Sequence, residues 1–220
     1  YKDKEIDKHQ YNYFLASLIN SIDKYANTVS IYGAFLKSLK KRAEKNFKLE
    51  LLPIIEGNKK GKVYNEDVNS LIKKVKGDIL YLDPPYNSRQ YCDAYHLLEN
   101  VARWEKPKVY GVARKMDRTS LKSDYCMITA TKAFEELIER ADMKYILLSY
   151  NNMSDKGNDR SNAKISDEDI MRILSKKGKV TIFELDYKSF STGKSDIKDN
   201  KERLFLCEVF SEEKKKMNIS

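Results

Sequence analysis

The sequence predicts an α/β protein in which a mostly parallel β-sheet carries helices on its faces. After Pro53, short apolar runs alternate with amphipathic segments, which is the pattern of strands and helices following each other along the chain. Because a helix that connects two strands usually returns the chain to the same sheet in parallel, this alternation favours a parallel sheet. Before Pro53 the apolar residues recur at helical spacing only, so we expect a separate N-terminal helical segment.

Two helices are predicted in that N-terminal segment. The first has one apolar face, made by Tyr11, Phe14, Leu15, Leu18, Ile19 and Ile22. The second has an apolar face made by Ile31, Tyr32, Phe35, Leu36 and Leu39. Its opposite face is rich in lysine, at Lys37, Lys40, Lys41, Lys45 and Lys48. Such a face either follows a phosphate backbone or is simply a solvated helix surface, and the sequence leaves both interpretations open.

Five strands and two further helices are predicted after Pro53. The strands are Val63–Tyr64, Ile79–Leu82, Tyr145–Leu148, Val180–Leu185 and Leu204–Phe210. The helices are Ala130–Arg140 and Asp167–Ser175. Since no helix is predicted between the last two strands, these can pair antiparallel at the edge of the sheet. We therefore divide the chain into residues 1–50, a helical segment suited to DNA contact or target recognition, and residues 51–220, a catalytic α/β domain.

The composition limits the chemistry and the partners. Lys and Arg number 42 against 33 Asp and Glu, giving a net charge of +9, which fits either a polyanionic partner or a protein from a lysine-rich proteome. Three scattered cysteines and two histidines suit neither a zinc site nor a Ser-His-Asp triad. A reduced, cytoplasmic setting is expected, with no metal and no membrane contact. The chain starts at Tyr1 rather than Met, so an upstream part is expected.

One tetrapeptide carries the predicted chemistry. Asp83-Pro84-Pro85-Tyr86 directly follows the strongest predicted strand, at the end where open α/β sheets bind ligands. The N6 nitrogen of adenine is a poor nucleophile, and two hydrogen-bond acceptors on its N–H groups would polarise it towards attack on a methyl group. Asp83 would supply a carboxylate and Pro84 a carbonyl oxygen, while Pro85 would stiffen the loop. Tyr86 would stack on a base turned out of the duplex. The alternative is a Pro-Pro turn in which Asp83 is a structural cap.

Three stretches of the chain resemble the D12 class of adenine-specific DNA methyltransferases. They are residues 78–91 with Tyr95–Glu99 after them, Ala26–Thr28 with Val29–Phe35, and Leu148–Asn152. The resemblance implies a Rossmann-like fold that depends on S-adenosylmethionine. It also implies a Phe-x-Gly-x-Gly donor motif, which these 220 residues do not contain. We therefore expect a fold that lacks its first strands, and a strand 79–82 with an unpaired edge.

The resemblance also suggests roles for single residues. Asp67 resembles the acidic residue that contacts the donor's adenine, although a surface carboxylate is an equal interpretation. Tyr187 and Phe190 resemble the aromatic position on the other face of the flipped base, with core packing as the alternative. Substrate contacts are also expected from polar residues after two strands, namely Asn87, Arg89, Asn151 and Asn152.

The implied partners are double-stranded DNA and a cognate restriction endonuclease, in a prokaryotic cytoplasm at the nucleoid. Three other functions stay open. Transferases acting on cytosine N4 or protein glutamine share the Pro-Pro-Tyr core, but they tend to carry Ser or Asn where this chain has Asp83. An RNA adenine methyltransferase would see the same flipped base. A non-catalytic, truncated DNA-binding remnant would fit the missing donor motif.

Overall fold

A computed structural model describes residues 5–29, 31–34, 36–111, 114–152, 162–186 and 201–211. The α-helices are α1 (Lys8–Tyr25), α2 (Val68–Leu71), α3 (Tyr91–Arg103), α4 (Ala130–Arg140) and α5 (Asp167–Lys177). Short 3-10 helices cover Lys41–Glu44, Thr119–Leu121 and Asp124–Cys126. The strands are β1 (Lys76–Leu82), β2 (Val109–Tyr110), β3 (Lys115–Met116), β4 (Asp142–Asn151), β5 (Gly178–Asp186) and β6 (Lys201–Val209). No helix in the described part of the chain has both the length and the apolar character needed to cross a membrane.

The chain forms two compact units. The first comprises Tyr1–Lys62 and Tyr91–Lys122, and the second comprises Val63–Gln90 and Ser123–Ser220. The division in space thus lies near residue 62 instead of residue 50, and residues 91–122 join the N-terminal segment. The roles predicted for the two parts, DNA contact and catalysis, stay predictions.

The second unit contains a four-stranded sheet with the order β1-β4-β6-β5. β1 and β4 are parallel, whereas β6 is antiparallel to both β4 and β5. The expectation of a mostly parallel sheet is therefore wrong for the described strands. The connection from β1 to its parallel neighbour β4 contains helices. By contrast, β6 lies between β4 and β5 and pairs antiparallel with both. The antiparallel pairing of the last two strands is confirmed, and so is the position of β1 at an edge of the sheet.

The core of this unit lies between one face of the sheet and two helices. Phe134 and Leu137 from α4, and Ile170 and Leu174 from α5, are buried in one cluster with alternate residues of β4 and β6. The helix ends follow ordinary capping rules, since the Ser166 side chain accepts a hydrogen bond from the Asp169 N–H and three acidic residues occupy the first turn of α5.

Gly178 joins α5 directly to β5, at a close approach that excludes a side chain. A Cβ atom there would lie 2.1 Å from the carbonyl oxygen of Glu208. The backbone at Gly178 is extended, a conformation that any residue can adopt. The glycine is required because β6 comes too close to leave room for a side chain.

The first unit is held to a large extent by side-chain-to-backbone hydrogen bonds. α1 begins at a capping box in which Asp7 and Gln10 bond each other's backbone N–H groups. The buried hydroxyls of Ser17 and Ser21 accept the N–H groups of Leu52 and Glu50 at 3.1 and 2.9 Å. These bonds fasten an extended segment along α1, and they satisfy polar groups that burial would otherwise leave unpaired.

Two sequence predictions are wrong. Residues 31–34 and 36–39 form turns and bends instead of a helix, because the backbone of this stretch bonds elsewhere: the Tyr32 N–H donates to the carbonyl of Ala94 at 2.8 Å. Val63 and Tyr64 form no strand and are exposed. A strand needs a hydrogen-bonded neighbour, and none of the described strands pairs with these residues.

Candidate active site

The Asp83-Pro84-Pro85-Tyr86 loop begins where β1 ends. Because β1 and β4 are parallel and Leu82 is in register with Leu148, their carboxyl ends meet at one edge of the sheet. The loop and the end of β4, with Asn151 and Asn152, therefore share that edge, which is where the sequence predicts the site. The carboxylate of Asp83 is exposed.

Tyr86 is fixed through its backbone, while part of its ring remains open. Its carbonyl oxygen accepts hydrogen bonds from the Lys164 N–H at 2.7 Å and from the Tyr150 hydroxyl at 3.3 Å. The two rings meet edge to face, with centroids 6.3 Å apart, and the Tyr86 side chain keeps 39% of its surface exposed. An aromatic ring held at its backbone and open on its outer surface can stack on a planar base.

Tyr150 is a functional candidate that sequence reasoning missed. It is buried at the end of β4, and its hydroxyl accepts the Ile165 N–H at 3.2 Å while donating to Tyr86. Burial raises the pKa of its hydroxyl to about 12, although hydrogen bonds from the backbone at Ile165 and Lys164 oppose this rise. The neutral phenol thus joins the Asp83 loop to the segment before α5 through two hydrogen bonds.

The loop after Tyr86 is closed by short-range polar contacts. The side-chain oxygen of Asn87 accepts the N–H of Arg89 at 2.9 Å, forming a local turn that leaves Arg89 exposed. Gln90 is buried, and its amide both accepts from the Ser123 N–H at 2.8 Å and donates to the Ser123 carbonyl at 3.0 Å.

The end of β4 is organised by Arg203, which the sequence did not indicate. The buried Arg203 guanidinium bonds both carboxylate oxygens of Asp167 at 2.7 Å and the carbonyl oxygen of Asn151 at 2.5 Å. The Asn151 residue is buried here. The side-chain oxygen of Asn152 accepts the Lys201 N–H at 3.0 Å, so this atom extends the strand pairing. Base contacts by either asparagine stay predictions.

A second carboxylate, Glu202, lies near that of Asp83. Burial raises the pKa of Glu202, the negative charge of Asp83 raises it further, and Arg203 partly offsets both effects. In sequence, Glu202 belongs to a Lys-Glu-Arg run that looks like an ordinary solvated stretch, so no local signal identified it.

Asp67 caps a short helix beside the catalytic loop. Its carboxylate accepts the Ser70 N–H at 2.9 Å at the start of α2. The next residue, Val68, and the loop residues Asp83, Pro84 and Pro85 line one cavity of about 290 Å³. The rest of its wall is largely apolar, made by Tyr81, Leu82, Ser123, Tyr125, Phe134 and Leu137.

The volume of this cavity can be compared with the methyl donor that the family resemblance implies. Ligand pockets usually measure about 300–1,000 Å³, so the cavity suits one portion of S-adenosylmethionine better than the whole molecule. The carboxylate of Asp83 at its wall suits a positively charged group. The donor contact predicted for Asp67 stays a prediction, and Tyr187 and Phe190 lie outside the described residues.

Comparison with known proteins places the chain in one family of enzymes. A family model for the D12 class of N6 adenine-specific DNA methyltransferases matches residues 1–158. The chain is 40% identical over 201 residues to Modification methylase StsI of Streptococcus sanguinis, covering 90% of this chain and 29% of that protein. It is 40% identical over 199 residues to Type II methyltransferase M.NlaIII of Neisseria lactamica, covering 89% and 56% respectively.

A third relative shows the same partial coverage. Type II methyltransferase M.FokI of Planomicrobium okeanokoites is 39% identical over 191 residues, which are 85% of this chain and 28% of that protein. The chain therefore spans between 28% and 56% of the length of these three relatives. No solved structure shows a significant match.

Proposed function

Because the chain belongs to the D12 class of N6-adenine-specific DNA methyltransferases, we propose that it methylates the N6 amino group of adenine in DNA. The observation that carries this proposal is the Asp83 loop at the carboxyl end of β1, with an exposed carboxylate followed by the partly exposed ring of Tyr86. A carboxylate, a proline carbonyl and an aromatic surface within four residues match what a planar amino base requires.

In the proposed mechanism, the chain's residues prepare the nitrogen for attack. The carboxylate of Asp83 and the carbonyl oxygen of Pro84 each accept one N–H of the base's amino group. These two bonds shift electron density onto the nitrogen and hold its lone pair towards the donor. Stacking on Tyr86 holds the base outside the duplex. S-adenosylmethionine would supply the electrophilic methyl group, whose bond to sulfur breaks as the bond to nitrogen forms, with the neutral thioether as the leaving group. The proton that the nitrogen loses passes to water through Asp83.

The wider proposal has a Rossmann-like catalytic domain and a donor that lies along Asp67 and the Asp83 loop. Its substrate is double-stranded DNA, with base contacts from Asn87, Arg89 and the asparagines at the end of β4. A cognate restriction endonuclease in a prokaryotic cytoplasm is its proposed functional partner. This is supported by the relatives, which are modification methylases and type II methyltransferases.

The central test replaces Asp83. We expect Asp83→Ala to abolish transfer of labelled methyl groups to an adenine-containing duplex, and to leave duplex binding nearly intact, since affinity comes mainly from phosphate contacts. Asp78→Ala is the matched control, because Asp78 is an exposed aspartate on the same strand that pairs with Lys144 at 2.7 Å. Substantial turnover by Asp83→Ala would refute the assignment. An RNA strand of the same sequence tests the alternative acceptor.

The role of Tyr86 is tested by the size of the replacement ring. Tyr86→Phe should retain most of the activity, whereas Tyr86→Ala should lose about 1–3 kcal/mol of base binding. Equal defects in the two variants would contradict stacking and would assign the role of Tyr86 to its hydroxyl. Tyr150→Phe is a useful comparison, since it removes the hydrogen bond to the Tyr86 carbonyl but keeps both rings.

A further inference from the structure

Trp104 has a backbone conformation that its residue type disfavours. It follows the last residue of α3 with a φ of 54°, in the left-handed region. Its N–H donates to the carbonyl of Val101 at 3.1 Å, and the N–H of Glu105 donates to the carbonyl of Asn100 at 2.9 Å. This is the Schellman pattern of a helix end, in which the left-handed residue is usually glycine because a side chain is strained there.

The indole obtains little packing in return for this strain. Trp104 is 77% exposed, which makes it one of the most exposed large apolar side chains of the first unit. A buried aromatic would be explained by its contribution to a core, but an exposed one at a glycine position is not explained by the stability of the fold. Strained backbone that the fold does not need points to a contact outside the chain.

Two lysines at alternate positions, Lys106 and Lys108, lie between the aromatic residues Trp104 and Tyr110. Nζ of Lys106 lies over the Trp104 ring at 5.8 Å from its centroid, and Nζ of Lys108 lies over the Tyr110 ring at 5.5 Å. Pro107 between the two lysines favours an extended backbone at Lys106. Side chains two residues apart in an extended chain point to the same side, which puts Lys106, Lys108 and Tyr110 in one row. Trp104 is not extended, but the contact of Lys106 with its ring adds the indole to this row.

We propose that residues 104–110, the aromatic-basic row, bind DNA, with Trp104 stacking on a base or sugar and the two lysines neutralising phosphates. Six residues of extended chain reach at most about 20 Å, or about six base-pair steps of a duplex strand, so the row can contact only a few successive phosphates. Exposed aromatics stack on nucleotides, and lysine binds phosphate but is depleted at protein–protein interfaces. Tyr110, which is 57% exposed, ends the row. This inference rests on the proposed DNA substrate.

The chain offers a direct probe, because Trp104 is its sole tryptophan. Its fluorescence therefore reports on this position alone. We expect an adenine-containing duplex to quench the emission of the 220-residue chain, and added salt to restore it as the phosphate contacts are lost. An emission that stays unchanged at saturating duplex, with binding followed by anisotropy of a labelled duplex, would overturn the proposal.

Trp104→Gly separates binding from folding. Removing the strain should raise the Tm by about 2–4 °C, whereas loss of stacking should weaken duplex binding about tenfold. Trp104→Phe should stay within about threefold of the wild-type affinity, because it keeps an aromatic ring. Unchanged affinity in Trp104→Gly would overturn the proposal, and a lower Tm would assign the indole to packing and overturn it as well.

The lysines are tested by salt dependence. Lys106→Ala and Lys108→Ala should each reduce the slope of log affinity against log salt by about 1. Lys132→Ala, an exposed lysine on α4 in the other unit, should leave the slope unchanged. Slopes that do not change in either row variant would overturn the phosphate contacts. Methyl transfer measured on the same samples separates the two proposals. If the chain methylates DNA but the Lys106 and Lys108 variants bind DNA normally, the proposed function stands and the DNA contact of the aromatic-basic row is refuted.

Discussion

The two faces of the four-stranded sheet are both apolar, but the described residues cover only one of them. On one face, Ile146, Leu148 and Phe205 are fully buried in the cluster with α4 and α5. On the other face, Tyr81 and Phe183 remain 59% and 53% exposed. The register confirms that these sets alternate along the same strands, since Leu80 pairs with Ile146 while Tyr81 pairs with Leu147.

The difference shows where the second unit obtains its stability. Burial of apolar surface contributes about 25 cal/mol per Å², so the covered face contributes most of that term, and the open face contributes little. The strands are nonetheless apolar on both sides, which is typical of sheets buried on both faces. Exposed apolar surface of this kind in a soluble protein usually marks a surface of interaction.

The largest expected effect distinguishes two neighbouring leucines of β4. Leu148 is fully buried on the covered face, whereas Leu147 is half-buried on the open face. We expect Leu148→Ala to lower the free energy of unfolding by about 2–5 kcal/mol, because it leaves a cavity in a packed cluster. Leu147→Ala should cost about 1 kcal/mol or less. Urea denaturation of both variants measures the difference, and similar losses would mean that the open face is covered in solution.

An intermediate effect is expected from the arginine that supports the covered face at the active-site edge. Arg203→Met keeps most of the side-chain volume but removes the bonds to Asp167 and to the Asn151 carbonyl. Since hydrogen bonds to charged groups are worth about 1.5–3 kcal/mol, we expect a loss of about 2 kcal/mol and a fall in methyl transfer. Arg172→Met is the control, because its pairs with Glu135 and Asp169 are exposed and should contribute about 1 kcal/mol or less. Equal losses would contradict the assigned role of Arg203.

The smallest effect concerns how Glu202 makes the stability depend on pH. Glu202 lies two residues before Leu204 on β6, so both side chains are on the open face. Its pKa is raised by burial and by Asp83, so ionisation disfavours the folded state. Wild-type stability should therefore fall, relative to Glu202→Gln, as the pH rises through the normal glutamate pKa towards the raised one, and the two proteins should converge in acid.

The measurement for Glu202 is the Tm as a function of pH. In a protein of this size, 1 kcal/mol changes the Tm by about 2–4 °C. We expect the Tm of Glu202→Gln to exceed that of the wild type at neutral pH by less than this. Glu208→Gln is the control on the same strand and face. A variant that is less stable than wild type at neutral pH would contradict the sign, and would indicate that the carboxylate forms a favourable bond.

Segments with a strong local pattern were predictable. α4 coincides with the predicted Ala130–Arg140, and α5, β4, β5 and β6 enclose or overlap their predicted cores. In these segments the apolar period and the capping residues agree with the tertiary contacts. The position of the Asp83 loop was predictable for a similar reason, because the motif and the end of β1 are adjacent in sequence.

The failures occur where distant parts of the chain determine the structure. Residues 31–39 have a helical period, but the N–H of Tyr32 bonds to Ala94, far away in sequence. α3 received no prediction of its own. Around the site, Arg203 is paired with Asp167, 36 residues away, and Tyr150 reaches Tyr86 across 64 residues. Partners at such separations leave no periodicity or spacing in a single sequence.

The paired hydrogen bonds between Gln90 and Ser123 have an evolutionary consequence. They join the residue before the excursion of residues 91–122 to the residue after it. The chain therefore leaves and re-enters the second unit at one fixed point, so the length and sequence of the excursion can change without moving the Asp83 loop. If the proposed function holds, exchange of this segment as a cassette would change the target preference and leave the chemical step constant. Grafting the corresponding segment from a relative between Gln90 and Ser123 would be the laboratory counterpart of that exchange.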